Sequence, residues 1–120
     1  MSPPRIALKR VYEAPSGDDG LRVLVERLWP RGLSKADAAI DHWIKDVAPT
    51  PQLRTWFGHR PERWAAFGRR YRGELLENVA TVDALKQLCA GRQVTFVFAA
   101  RDVERNGALV LREFLLREIV

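Results

Sequence analysis

Apolar residues recur along this chain in two rhythms. Short unbroken runs, VLV at Val23 to Val25 and QVTFVFAA at Gln93 to Ala100, are β-branched and aromatic, and the second has the make-up of a strand covered on both faces. IALKRV, from Ile6 to Val11, mixes apolar and basic residues as a half-covered strand does. The other rhythm is helical. Pro61 is placed to open a helix in which Trp64, Phe67, Tyr71 and Leu75 form one stripe at three- and four-residue steps. A short helix is predicted from Pro51 to Phe57, with Leu53, Trp56 and Phe57 on its apolar side and Gly58 as its stop. Ser34 is a candidate N-cap for the alanine-rich segment SKADAAIDHWIKDVAP, which Pro49 and Pro51 break. Thr81 is expected to cap a helix through Leu88, with Gly91 just past its end. Asp102 or Asn106 is expected to cap a last helix rich in Leu and Val. Between the first two strands, Tyr12 to Gly20 reads as a loop without a helix. Parallel strands normally need a crossover of about a dozen residues, so an antiparallel or distorted connection is expected there.

Two of these strands end in charge. VLV runs into Glu26, Arg27, Trp29, Arg31 and Lys35, and TFVFAA runs into Arg101 and Asp102. Trp29-Pro30 disfavours helix, and Gly32 can take positive φ just before the helix start at Ser34. A strand, a bent basic loop and a helix N-terminus make a common anion site, because loop amides and the positive helix end add to the arginines. In open α/β sheets ligands bind outside the carboxyl ends of strands, so the expectation is that the VLV and TFVFAA tips are neighbours and converge on one pocket. The bland alternative makes Trp29 packing and the arginines ordinary surface charge.

Composition bounds the picture. With 120 residues the chain is expected to be one domain, and 47% hydrophobic and 29% charged residues suit a globular protein. No apolar run approaches the ~18 residues of a membrane span, and MSPPRIALKR lacks a signal-peptide core, so a cytoplasmic protein with a frayed Met1 to Pro4 is expected. The single cysteine, Cys89, excludes an internal disulfide, and its helical spacing from Val82 and Leu85 predicts a packed core thiol. A net charge of +5 invites a nucleic-acid reading, with Arg63, Arg69, Arg70 and Arg72 as a stripe. Against it, sixteen of the twenty basic residues are Arg, a bias codon usage alone can produce, and they are scattered from Arg5 to Arg117 among acidic residues. The sequence has no GxGxxG, GxxxxGK[ST], HExxH or GxSxG motif, and His42 and His59 are too far apart for a helical metal pair. No cofactor and no metal are therefore expected. Asp41-His42 and His59 could act as acid, base or phosphate donor, although surface or capping roles are commoner.

The segments DGLRVLVERLWPRGLSK, DHWIKDVAPTPQLRTWFGH, PERWAAFGRRYRGEL and VTFVFAARDVERNGALVLREFL resemble the YeaO-like branch of domain of unknown function family 488, from about Lys9 to Leu116. The resemblance implies an α/β, Rossmann-like fold: a single small three-layer domain whose short, mostly parallel sheet is flanked by helices. It also implies a helix between the first two strands, where this chain has EAPSGDDG. By position, Arg27, Trp29, Pro30, Arg31, Gly32 and Lys35 belong to the first signature, Asp41, Trp43, Phe57, Gly58 and His59 to the second, and Arg101, Asp102 and Asn106 to the third. Members often carry Asn or His where Gly107 stands. The family name assigns no activity.

Three functions follow as expectations. In the first, the strand tips hold a phosphate or other small anion, as a binding protein or a small enzyme. Arg31 and Arg101 are then forked donors and Lys35 a mobile charge, with Arg27, Trp29, Gly32 and Asn106 beside them and Asp41, Asp102 or His59 moving any proton. In the second, the arginine stripe binds nucleic acid. In the third, the role is structural or interactive, without a ligand.

Overall fold

QVTFVF is the hub of the sheet. The structure, a computed structural model, describes residues 5–119, with side chains through Arg117; the expected fraying of Met1 to Pro4 falls outside it. Strand β4 (Gln93–Phe98) pairs in parallel with β1 (Arg5–Arg10) on one side and β2 (Leu21–Leu24) on the other, and β2 pairs in parallel with β3 (His42–Trp43). The order is β1-β4-β2-β3. VLV and TFVFAA are thus neighbours, in register with Leu24 opposite Val97. Helices α1 (Lys35–Ala38), α2 (Pro51–Phe57), α3 (Trp64–Glu77), α4 (Val79–Cys89) and α5 (Gly107–Ile119) complete an α/β domain.

The strand alternation separates two layers of different weight. Val23, Val94, Phe96 and Phe98 face α2 to α5, where Phe67, Tyr71 and Leu75 of the predicted stripe are buried against them. Cys89 is part of this core, and burial pushes its thiol up to about 11, which makes it a packing residue. The opposite face, with Leu24 and Val97, is covered by Val11, α1 and the rings of Trp29 and Trp43. No helix among the described residues is long and apolar enough to cross a membrane.

Of the antiparallel or distorted connection expected between the first two strands, the antiparallel alternative is wrong. Both run parallel to β4, which lies between them, so residues 11–20 must return from the end of β1 to the start of β2 along a sheet face. An extended chain rising ~3.3 Å per residue covers that distance without a helix. The loop is held down at its far end by a one-turn 3-10 helix, Gly17–Asp19, closed by a capping box between Ser16 and Asp19. Asp19 then sits under the sheet, 7% exposed. Its carboxylate accepts from Lys9 Nζ at 3.1 Å and from an Arg22 terminal nitrogen at 2.6 Å, while its carbonyl accepts from Thr95 Oγ1 at 2.8 Å.

Gly20 makes this return possible. It has φ 63° and ψ −136°, and a Cβ there would lie 2.2 Å from the Gln93 carbonyl oxygen. Because the obstacle is backbone of the central strand, Gly20→Ala should lower stability by about 3 kcal/mol or more in chemical denaturation. An unchanged denaturation midpoint would show that the loop has another path.

The alanine-rich segment also departs from expectation. Its helix is a single turn, capped by Ser34 Oγ and ended by Ala39 at φ 50°, after which His42–Trp43 joins the sheet. Edge pairing outweighs the helix preference of the alanines: Asp41 N–H donates to Arg22 O, Arg22 N–H donates to Asp41 Oδ2 at 2.8 Å, and Ile44 N–H donates to Leu24 O. Thr81 is not a cap, since α4 begins two residues earlier. At the last helix Asn106 is the cap, its side-chain oxygen accepting from Leu109 N–H at 2.9 Å.

Candidate functional site

Past the ends of β2 and β4 the chain opens into a cleft of about 810 Å³, lined by residues from Tyr12, just after β1, to Ala108 in α5. Its apolar wall includes Val25, Leu28, Trp29, Pro30, Phe57 and Phe67, and the rings of Phe57 and Phe67 stack at 4.3 Å. Arg31, Arg54, Arg101 and Arg105 line it together with His59. Gly107 and Ala108 bring the first turn of α5 to its edge. Asn106 takes up the Leu109 and Val110 amides, which leaves the Gly107 and Ala108 amides of the first turn without a carbonyl inside the helix to bond.

The loop after β2 is pinned at every turn, which makes it a rigid wall. Trp43 Nε1 donates to Glu26 O at 2.7 Å, Trp29 Nε1 to Leu33 O at 2.7 Å, and Tyr12 Oη to Arg31 O at 3.0 Å. Trp29 meets Trp43 edge-on, ring centroids 5.4 Å apart. Glu26 ties this loop to the other strand tip, its Oε1 accepting from Ala99 N–H at 2.9 Å. Burial pushes the Glu26 carboxyl above the usual carboxylate range, against the opposing pull of the Ala99 amide and the charges of Arg54 and His59.

Trp29, Arg31, His59, Arg101, Asp102 and Asn106 come together here from three separate signatures. His59 is held at φ 58°, following Gly58 at φ 53°, a conformation that persists in a non-glycine residue only where its surroundings impose it. Asp102 and Asn106 are committed to structure. Asp102 Oδ1 accepts from the Glu104 and Arg105 amides, and Asn106 Nδ2 donates to Asp102 O at 3.0 Å. The Glu104 amide chiefly, with Arg105, holds the Asp102 carboxyl below the usual range despite slight desolvation.

Four expected site residues lie elsewhere. Asp41 is beside the start of β2, at the end of the sheet away from the cleft; Gly32 (φ 76°), in the β2–α1 loop, and Lys35, the first residue of α1, do not line the cleft. Arg27 turns into a separate recess of about 270 Å³ beside Tyr71 and Glu74, where it donates to Pro49 O at 3.1 Å and Ala48 O at 3.0 Å. Arg27→Met should therefore cost about 1–3 kcal/mol by leaving two carbonyls unpaired, without weakening any anion at the cleft. Loss of ligand-induced stabilisation in that variant, at unchanged melting temperature of the unliganded protein, would contradict this.

The arginines of α3 are partly engaged. Arg63, just before the helix, and Arg70 on it lie over the Trp56 side chain, 4.9 and 4.0 Å from guanidinium carbon to ring centroid, and Arg63 also donates to Trp56 O. Among the described residues no group of three or more His, Cys, Asp or Glu is arranged to hold a metal ion.

Sequence reasoning treated Glu26 and Arg54 lightly. Glu26 carried a signal, an acid directly after an apolar strand end; Arg54 carried none, because its approach depends on how α2 packs.

Residues 5–120 match a family model described as "Inactive DUF488-N3 subclade". Uncharacterized proteins of Mycobacterium bovis and Mycobacterium tuberculosis are 45% identical over 111 residues, covering 92% of this chain and 93% of theirs. The uncharacterized protein YeaO of Escherichia coli is 36% identical over 110 residues, covering 92% and 96%. No solved structure was found to match the chain. Matched over nearly its whole length by the family model and by these relatives, the chain belongs to the DUF488 family and is YeaO-like.

Proposed function

We propose that the cleft binds a small anionic ligand, phosphate-bearing in the simplest case, at the carboxyl ends of β2 and β4. One observation carries this reading. Arg31, Arg54 and Arg101 line a single concave site with no hydrogen-bond or ion-pair partner for their guanidinium groups among the described residues, whereas Arg10, Arg22 and Arg27 are each bonded to carbonyls. Like charges gathered in one cleft raise the free energy of the empty protein, and a bound anion relieves it. The amides of Gly107 and Ala108, the α5 residues that line the cleft, add donors at the positive end of that helix.

Binding rather than turnover is the form the site supports. Asp102 is held in its turn and Asp41 lies at the other end of β2, which leaves Glu26 and His59 as the titratable groups beside the arginines and Tyr12. The word "Inactive" in the matched description agrees. The test is a thermal-shift and calorimetric titration of the protein with inorganic phosphate, pyrophosphate and nucleotides at low and physiological salt. Saturable stabilisation that weakens with salt is expected. Absence of stabilisation by every anion at millimolar concentration would end the proposal. Submicromolar binding of duplex or single-stranded nucleic acid at physiological salt would instead favour a role for the exposed Arg69 and Arg70 on α3.

A further inference from the structure

Among the described residues five large apolar side chains are exposed, and they are not spread evenly. Tyr12 (43% exposed) and Leu28 (60%) line the cleft, and Val103 (59%) stands in the turn of residues 101–106 that forms part of its border. The other two, Leu76 and Val79, lie together at the α3–α4 junction. Single exposed apolar residues need no explanation, but three gathered at one opening do. Nor is Leu28 exposed through looseness. Its loop is pinned on either side by the bonds from Trp43 to Glu26 O and from Trp29 to Leu33 O, and Tyr12 is tied to the same loop through Arg31 O. A rim held in place without a partner costs little to order when one docks.

The charge around this rim has one sign. Arg31, Arg54 and Arg101 are exposed lining residues from three segments, the β2–α1 loop, α2 and the turn after β4, so positive charge surrounds the opening instead of converging on one buried point. Arginine and tyrosine are enriched where proteins bind one another, and polar contacts at such patches strengthen when apolar neighbours exclude water.

We propose that the anion is borne by a peptide: the occupant of the cleft is a segment of another protein in which an acidic side chain, phosphorylated or carboxylate, is flanked by apolar residues. The acidic group meets Arg31 and Arg101, and its apolar neighbours cover Leu28 and Tyr12. Charge complementarity selects this occupant over a second copy of the chain, whose net charge of +5 repels its own kind. The proposal rests on the anion reading above and names what carries the anion.

Peptide arrays probed with the full chain test this. The central residue is phosphoserine, glutamate or serine, and each flanking position is varied in turn over every residue type. Peptides with an acidic centre should be retained and serine-centred ones not, with Leu, Ile, Val or Phe selected at one or more flanking positions; the two acidic arms tell a phosphate from a carboxylate. In calorimetry the selected peptide should bind about tenfold or more tightly than the matching free anion, inorganic phosphate or acetate, as burial of one further large apolar side chain provides. Leu28→Ser should remove most of that advantage, while Leu76→Ser, equally exposed but at the α3–α4 junction, should leave peptide affinity unchanged. If the free anion binds as tightly as every peptide, or the flanks show no apolar selection, the peptide inference fails while the anion reading stands. Should neither peptides nor free anions bind, the anion reading fails and this inference with it. Equal retention of serine-centred peptides, or a peptide affinity that Leu28→Ser leaves intact, would place the docking elsewhere than on this rim. Self-association in sedimentation that Arg101→Glu abolishes would make a second copy the occupant and overturn the proposal.

Discussion

Replacing Arg31 and Arg101 together by Met is expected to abolish stabilisation by phosphate-bearing ligands while leaving the melting temperature of the unliganded protein nearly unchanged. A ligand that binds only the folded state at about 100 times its Kd contributes about 2.7 kcal/mol. For a domain of this length that is a shift on the order of 10 °C, and it should vanish in the double variant. The contrast with a structural role is sharp. Were the two guanidinium groups part of an ion-pair network, removing them would strand carboxylates and lower stability without any ligand. Neither has such a partner among the described residues: Glu26 is held by Ala99, and Asp102 by its own turn and Arg105. Removing two positive charges near Arg54 and Arg105 should, if anything, relieve repulsion. A fall of several degrees in the unliganded protein, with ligand stabilisation intact, would move both residues from the binding site to the scaffold.

The convergence of Arg31 and Arg101 was legible because each follows an apolar strand end. A covered parallel strand must switch to polar residues where it leaves the core, and neighbouring parallel strands leave it on the same side. The stripe from Trp64 to Leu75 was legible for the same local reason, and Pro51 and Gly58 mark the limits of α2 through their own backbone preferences. What stayed hidden depended on partners distant in the chain. HWI does not announce a strand until Arg22 and Leu24 offer their backbone groups to it. The direction of β1 relative to β2 could not be read from the loop between them, because the deciding fact is that β4, more than seventy residues later, inserts between the two. At the cleft, arginines announced themselves by type, but whether each one points at solvent, a carbonyl or a ligand is fixed by packing: Arg27 and Arg31, four residues apart, end in different recesses.

The same dependence on distant partners produces the largest expected effect on stability. Asp19 sits in a loop rich in Gly, Pro and Asp, the place where a solvated carboxylate is expected, yet it is buried with Lys9 and Arg22 in a polar cluster beneath β1, β4 and β2. Arg22, 4% exposed, is further fixed by donating to Ala38 O at 2.8 Å and Ala39 O at 3.0 Å, so it cannot swing out to water when its counter-ion is removed. Asp19→Ala should therefore cost about 3–5 kcal/mol at neutral pH, the range for breaking one side of a buried ion pair. Acid should act on the unaltered protein in the same direction. Burial alone would raise the Asp19 carboxyl, but hydrogen bonds from the Ser16 amide, Lys9 and Arg22 outweigh it and hold the carboxyl below its ordinary value. A group depressed on folding contributes its stability fully above the unfolded pKa of ~3.9 and loses it as pH falls through the lower folded value. Chemical denaturation of both proteins from neutral pH down past that point should show the gap between them closing in acid. Combining Asp19→Ala with Arg22→Met should cost less than the two changes summed, since the second removes the charge that the first strands. A loss below about 1 kcal/mol at neutral pH, or strict additivity of the pair, would show that water reaches the cluster and that the loop is held down by its capping box and the Thr95 bond instead.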